Sequence, residues 1–213
     1  MTAEISWLRL SDYSETELLV RAELTPDEAI RYAALPQAAV QRRKEWLAAR
    51  VLVRERAVEL GQPSGRILYE PSGRPYWDGG DGISRRPISI SHTAGWAALM
   101  VAPVGLNRCG IDIEHTARDA SRATRRIASA AELALAEPLY PRNPPLLVWC
   151  AKEAAYKALG TPNLDFRQHI SLKNQASAPI SEDRSLLASV VSHRISLHFF
   201  ESPDDLLVVY GAC

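Results

Sequence analysis

The chain has 213 residues, of which 46% are hydrophobic and 23% charged, enough to bury a sizeable core and too apolar for wholesale disorder. Its 25 basic and 25 acidic residues cancel, so no global field draws it to nucleic acid or to an anionic membrane, and any anion site must come from local clustering. Three cysteines, Cys109, Cys150 and Cys213, form neither a disulfide framework nor a metal-binding Cys-x-x-Cys spacing, which suits a reducing compartment.

The first ten residues mix charged, polar and apolar types and lack a basic-then-apolar signal pattern. No apolar run reaches the roughly 20 residues a membrane helix needs. The expectation is a cytoplasmic protein with no membrane and no nucleic acid among its partners. Ile5 to Leu10 reads as an opening strand. Thr25-Pro-Asp-Glu28 starts a helix, with Thr25 as cap, Pro26 in the first turn and Glu28 three residues after the cap. A long helix is predicted from Ala38 to Leu60, with Trp46, Leu47, Val53 and Leu60 at helical spacing and Gly61 as its stop. The Gly- and Pro-rich stretch 62–82 reads as loop with one short strand at Ile67 to Tyr69. Strands follow at Pro87 to Ser91, Trp96 to Ala102 and Cys109 to Glu114. Ser121 to Glu137 is predicted as one helix. Asn143 caps another, with Pro144 in its first turn, running to Leu159 and stopping at Gly160-Thr-Pro162. Two strands, Leu187 to Phe200 and Leu206 to Tyr210, close the chain around the turn 202–205. The fold class is α+β with antiparallel sheets. The outline divides near Pro103 into two similar halves, 1–103 and 104–213.

Four groups of residues can carry chemistry. Asp112 and Glu114 are two apart on a predicted strand and so share a face. Their mutual repulsion suits a hard divalent cation such as Mg²⁺, although a solvated strand face shows the same pattern. In Trp149-Cys-Ala-Lys-Glu-Ala-Ala-Tyr-Lys157, Glu153 and Lys157 are one helical turn apart. Such pairs are common on exposed helices, but here the neighbours are apolar, and a third carboxylate with a lysine would complete a metal and phosphate site. Ser89-Ile-Ser-His92 ends a strand at Ser91 and opens a loop at His92. A histidine there either binds an anion, works as acid or base, or simply bonds within its turn. Arg43, Arg50 and Arg54 form one stripe on the long helix, either a solvated face or a bidentate phosphate grip. The loop Gly73-Arg74-Pro75 allows close backbone approach to a ligand.

Taken together and in this order, these motifs resemble the Sfp-type 4′-phosphopantetheinyl transferases. The family signatures Gly-x-Asp-x-Glu and Trp-x-x-Lys-Glu-x-x-x-Lys are matched at Gly110 to Glu114 and Trp149 to Lys157. Gly73-Arg74-Pro75 is similar to the family's Gly-Lys-Pro, with arginine for lysine, and Ser89 to His92 is similar to its serine-histidine motif. Residues 42–50 resemble the basic helix of the enterobactin-synthase subgroup. The resemblance covers roughly residues 42 to 160.

The resemblance implies two similar α/β halves related by a pseudo-twofold, with the active site in the cleft between them. It implies transfer of the phosphopantetheine arm of coenzyme A, the co-substrate, to a serine of an acyl or peptidyl carrier protein, with Mg²⁺ (or Mn²⁺) as cofactor. Asp112, Glu114 and Glu153 would be the metal ligands. Lys157 would meet the pyrophosphate. His92 and the region of Arg43 and Arg50 would hold the 3′-phosphate, Ser91 would belong to the coenzyme A site, and Gly73, Arg74 and Pro75 would lie against adenine. The expected base is Glu153, directly or through a metal-bound water, with His92 as the weaker candidate. Arg118, Arg122, Arg125 and Arg126 are expected to dock the acidic carrier. A chain that supplies both halves itself is expected to be a monomer. Two rival readings are a Mg²⁺-dependent nuclease, disfavoured by the balanced charge, and a non-catalytic coenzyme A binding module.

Overall fold

The structure, a computed structural model, describes residues 4–62, 65–79, 85–160, 163–174 and 185–213. The Gly-rich turn expected at 80–82 and the stop expected at 161–162 lie outside them.

In chain order, strand β1 (Glu4–Arg9) leads to helices α1 (Glu15–Ala22), α2 (Pro26–Ala33) and α3 (Val40–Glu59), then to strands β2 (Arg66–Tyr69), β3 (Pro75–Asp78), β4 (Arg85–Thr93) and β5 (Trp96–Val101). The pattern then repeats. Strand β6 (Cys109–His115) leads to helices α4 (Ser121–Ile127), α5 (Ala130–Leu139), α6 (Pro144–Leu159) and α7 (Phe166–His169), then to strands β7 (Ile170–Asn174), β8 (Ser185–Val190), β9 (His193–Glu201) and β10 (Leu206–Ala212). The strand orders are β1-β5-β4-β3-β2 and β6-β10-β9-β8-β7. In each sheet the last strand returns beside the first, and every pairing is antiparallel. The two halves therefore share one topology, as the α+β reading with two similar halves anticipates.

Burial stacks these elements in layers. On β5, Ala97, Leu99 and Val101 face the core under α3, whereas Ala98, Met100 and Ala102 beyond its end face the other way. That second face meets Ile111 and Ile113 of β6 and Leu206 and Val208 of β10. Leu207 and Val209 of β10 look outward into the core under α6. A strand buried on both faces reads as a continuous apolar run, which is why Trp96 to Ala102 lacks alternation.

Several elements differ from expectation. The predicted helix 121–137 is two helices. Ala128 is extended, and Ser129 starts α5 with a reciprocal capping box to Glu132. The predicted strand 187–200 is the hairpin β8–β9, turning at Val191, whose φ of 53° is unusual for a β-branched residue and carries no sequence signal for a turn. The stretch read as loop with one strand holds the hairpin β2–β3, with Gly73 at φ 84° in its connection. Helix α1 and strand β7 went unread, although Ser14 and Glu17 form a capping box. Helix α2 starts at Pro26 behind the Thr25–Glu28 box, and α6 starts at Pro144 behind the Asn143 cap, both as expected.

Candidate active site

The site begins with a backbone contact. Gly110, Asp112 and Glu114 alternate along β6 and point to the face covered by α6. A Cβ on Gly110 would stand 1.9 Å from the Ala154 carbonyl oxygen and 2.6 Å from the Ala158 nitrogen. Only glycine lets the helix lie this close to the strand. That approach brings one turn of α6, from Glu153 to Lys157, beside the strand's carboxylates.

Lys157 Nζ lies 2.8 Å from Asp112 Oδ1, 3.0 Å from Ser91 Oγ and 3.1 Å from the Ile111 carbonyl. Ser91 in turn donates to Asp112 Oδ1 at 3.0 Å and accepts from the Ile113 N–H at 3.2 Å. Ser89 accepts from the Ile111 N–H at 3.0 Å. Two serines spaced two apart on β4 thus cap two N–H groups spaced two apart on β6, and they join the halves at the site. Thr93, two residues further along β4, donates to Glu114 Oε2 at 2.5 Å. Arg118 ion-pairs with the other oxygen of Glu114, its guanidinium 5.2 Å from the Trp149 ring centroid.

The carboxylates divide into two kinds. Asp112 and Glu114 are buried and each meets a cation. Glu153 is half-buried and titrates above its ordinary range, because burial disfavours its charge and the charge of Asp112 adds to that, with Lys157 and Arg118 only partly offsetting. Behind Asp112, the fully buried Cys150 thiol is pushed far up, first by burial and then by the same aspartate.

The expected ligand trio is not drawn into a closed cluster: among the described residues, no three His, Cys, Asp or Glu side chains are gathered for a metal. The chemistry of the set nonetheless fits a hard cation. Asp112 Oδ2 is buried and accepts no hydrogen bond, and Glu153 is held near a like charge. A divalent ion ligated by oxygen would relieve both.

Beside this group runs a cavity of about 250 Å³ between the halves. Ser72, Gly73, Arg74 and Pro75, with Ile88 to Ile90, form one wall, and Tyr156, Lys157 and Gly160 form the other. Arg74 pairs with Glu70 at 3.2 Å and packs its side chain on Gly160, at the end of α6.

Other expected residues sit elsewhere. Arg50 is buried under the Trp46 ring and faces Glu28 at 3.5 Å. Arg43 pairs with Glu15 at 2.7 Å and bonds the carbonyls of Tyr32 and Leu35. Arg54 bonds Glu28 and the Ala22 and Glu23 carbonyls. In this structure the stripe turns to Glu15, Glu28 and backbone carbonyls around α1 and α2, and ties those helices to α3. His92 is exposed and alternates away from Ser91 towards Glu45 of α3, at 3.7 Å, not towards the carboxylates. Arg122, Arg125 and Arg126 are exposed on α4, whereas Arg118 turns into the site.

Sequence reading did not pick out Arg118 as a carboxylate partner, nor Thr93 or Tyr156. Thr93 had a usable signal, being on the Ser91 face of β4. Arg118 lies only four residues from Glu114, but its stacking on Trp149 joins distant segments.

Two family models match the chain. Residues 31–102 match the 4′-phosphopantetheinyl transferase N-terminal domain, and residues 108–203 match the 4′-phosphopantetheinyl transferase superfamily. The chain belongs to the 4′-phosphopantetheinyl transferase superfamily. The cavity wall at 72–75 and 88–90 lies in the N-terminal-domain match, and the carboxylates and α6 lie in the other, so the cavity straddles both. No curated protein matches the chain. Within this superfamily chain, no helix among the described residues is long and apolar enough to cross a membrane.

Proposed function

We propose that the chain is an Sfp-type transferase that moves 4′-phosphopantetheine from coenzyme A to a serine of an apo acyl or peptidyl carrier protein and releases 3′,5′-ADP. The observation that carries this reading is the cleft in which the Gly73–Pro75 loop of one half faces Lys157 of the other, next to Asp112, Glu114 and Glu153.

The serine oxygen attacks the phosphorus that carries the pantetheine arm, the bond from that phosphorus to 3′,5′-ADP breaks, and the serine proton leaves. Charge gathers on the ADP oxygens, so preorganised cations matter more than covalent chemistry. Lys157, pinned by Ser91 and Asp112, is aimed to neutralise that charge. Asp112, Glu114 and Glu153 would hold Mg²⁺ or Mn²⁺, which supplies Lewis-acid polarisation of the pyrophosphate when bound. Glu153 is the proposed acceptor of the serine proton, standing on the same turn of α6 as Lys157. The orientation of His92 away from the carboxylates leaves it an anion-holding role. Gly73, Arg74, Pro75 and Tyr156 bound the space for adenine.

In this reading, residues 1–103 form the adenylate side and 104–213 the metal and carrier side. The exposed arginines Arg122, Arg125 and Arg126 dock the carrier's acidic helix. One chain contributes both walls, so a monomer suffices, and three free cysteines suit the cytoplasm.

The test is to incubate the protein with coenzyme A, Mg²⁺ and apo carriers of the fatty-acid, polyketide and peptide types, and to weigh each carrier. A mass gain of one phosphopantetheine is expected. No gain on any carrier, or nicking of DNA in its place, overturns the reading.

A further inference from the structure

Lys152 sits in the same helical motif as Glu153 and Lys157, yet it reaches no part of the cleft. Its side chain is fully buried. Its ammonium bonds the carbonyls of Ile127 at 2.8 Å, Phe166 at 3.0 Å and Ile170 at 2.7 Å, and meets Glu132 Oε1 at 2.8 Å. Glu132 is committed in turn, accepting the Leu172 N–H on Oε1 and both the N–H and hydroxyl of Ser129 on Oε2. A charge removed from water this completely persists only when paired and saturated with hydrogen bonds. The arrangement meets that condition and ties four segments to the helix that carries Glu153.

One of those segments is α4. It has seven residues and no side-chain cap at its start, too short to hold itself as an isolated helix. Its position comes from clamps to α6 and its cap: Lys152 on the Ile127 carbonyl at its end, Thr124 on the Pro145 carbonyl at 2.9 Å, and Asn143 on the Arg118 carbonyl at 2.9 Å before its start. Its exposed side bears Arg122, Arg125 and Arg126. The residue adjacent to Lys152 on α6 is Glu153, in the cleft.

We propose that Lys152 is a positioning residue that couples the arginine face of α4 to the cleft, so that a docked carrier presents its serine in register with Glu153. The inference rests on the transferase reading given above. A charge buried as a strut between two surfaces sets their relative placement and touches neither substrate. Its loss is therefore read on the carrier and not on coenzyme A.

Removing Lys152 alone would strand Glu132, so the informative variant is Lys152→Met with Glu132→Gln, which removes both charges together; Lys152→Arg keeps the cation and serves as the conservative comparison. Thermal unfolding first establishes that the double variant is folded. If it does not fold, the kinetics are read on Thr124→Val, which removes the bond from α4 to the Pro145 carbonyl. Carrier and coenzyme A are then titrated separately, each against a saturating level of the other. The expected result is a KM for carrier raised about fivefold or more, with the KM for coenzyme A within about twofold. Adding Arg122→Glu and Arg126→Glu to the double variant should raise the carrier KM by less than the product of the separate effects. An unchanged kcat and KM for carrier, a KM for coenzyme A that rises as much as the carrier's, or effects of the two pairs that multiply, would overturn the positioning role while leaving the transferase reading intact. A wild-type protein that modifies no carrier overturns both.

Discussion

Gly110 and Ala154 meet backbone to backbone, so closely that a single added methyl group on the glycine would overlap the alanine carbonyl. This contact seats α6 on β6 and so determines how far Glu153 and Lys157 stand from Asp112. Gly110→Ala should destabilise the fold by about 3 kcal/mol through overpacking against rigid backbone. It should also lower transfer in the surviving folded protein, because the helix must retreat. Urea unfolding with activity measured per folded molecule checks both, and a variant with unchanged stability would show the contact to be slack.

Asp112→Asn keeps a group able to bond Ser91 and Lys157 but removes the charge. Oδ2 of Asp112 accepts no hydrogen bond, so the amide would place an unpartnered donor there and weaken the Lys157 pair; a modest loss of stability is expected, and activity is read per folded molecule. Transfer should fall by about 100-fold, and Mg²⁺ or Mn²⁺, expected under the proposed reading to raise the unfolding temperature of the wild type, should no longer do so in the variant. An unchanged metal-induced shift would remove Asp112 from the ligand set.

Arg50 is 3% exposed, and burial holds its guanidinium below its usual range. Arg50→Met breaks a buried pair and leaves Glu28 with Arg54 alone, which should cost about 3 kcal/mol while the KM for coenzyme A stays nearly constant. If stability held and the KM rose steeply, the arginine would be a phosphate ligand after all.

Charge reversal at Arg122 and Arg126 should raise the KM for carrier about tenfold and flatten its dependence on salt. Stability should not move, since both side chains are exposed. Steady-state kinetics at two ionic strengths decides the matter.

Burial pushes the Glu132 carboxyl up, but hydrogen bonds from Lys152, Ser129 and Leu172 outweigh it, and the group titrates below its ordinary range. The unfolded chain therefore takes up this proton at higher pH than the folded one. The stabilisation is complete above the unfolded value and is lost as pH falls through the folded value. Urea midpoints measured from about pH 7 down to about pH 3 should fall less steeply in the Lys152→Met, Glu132→Gln double variant than in the wild type. Parallel slopes would mean the pair contributes nothing to acid sensitivity.

Much of this was legible in order along the chain. Thr25 with Glu28 and Asn143 with Pro144 announce helix starts through local hydrogen bonding, and Asp112 and Glu114 share a strand face by the two-residue period alone. The break at Ala128-Ser129 was missed because the surrounding run is helix-favouring on both sides, and the turn at Val191 was missed because a β-branched residue in that conformation advertises nothing.

By itself the sequence determined the identity and spacing of the chemical groups, the α+β class and the order of two like halves, since caps, strand alternation and helix periodicity act over a few residues. The partner of each charge was decided only by tertiary structure. Arg43, Arg50 and Arg54 form the expected stripe, yet they turn to Glu15, Glu28 and backbone carbonyls of other segments. Arg118 turns to Glu114, and Lys152 turns inward to Glu132. Burying a charge requires a specific partner, and that partner comes from whichever segment the packing delivers, however far away it lies along the chain.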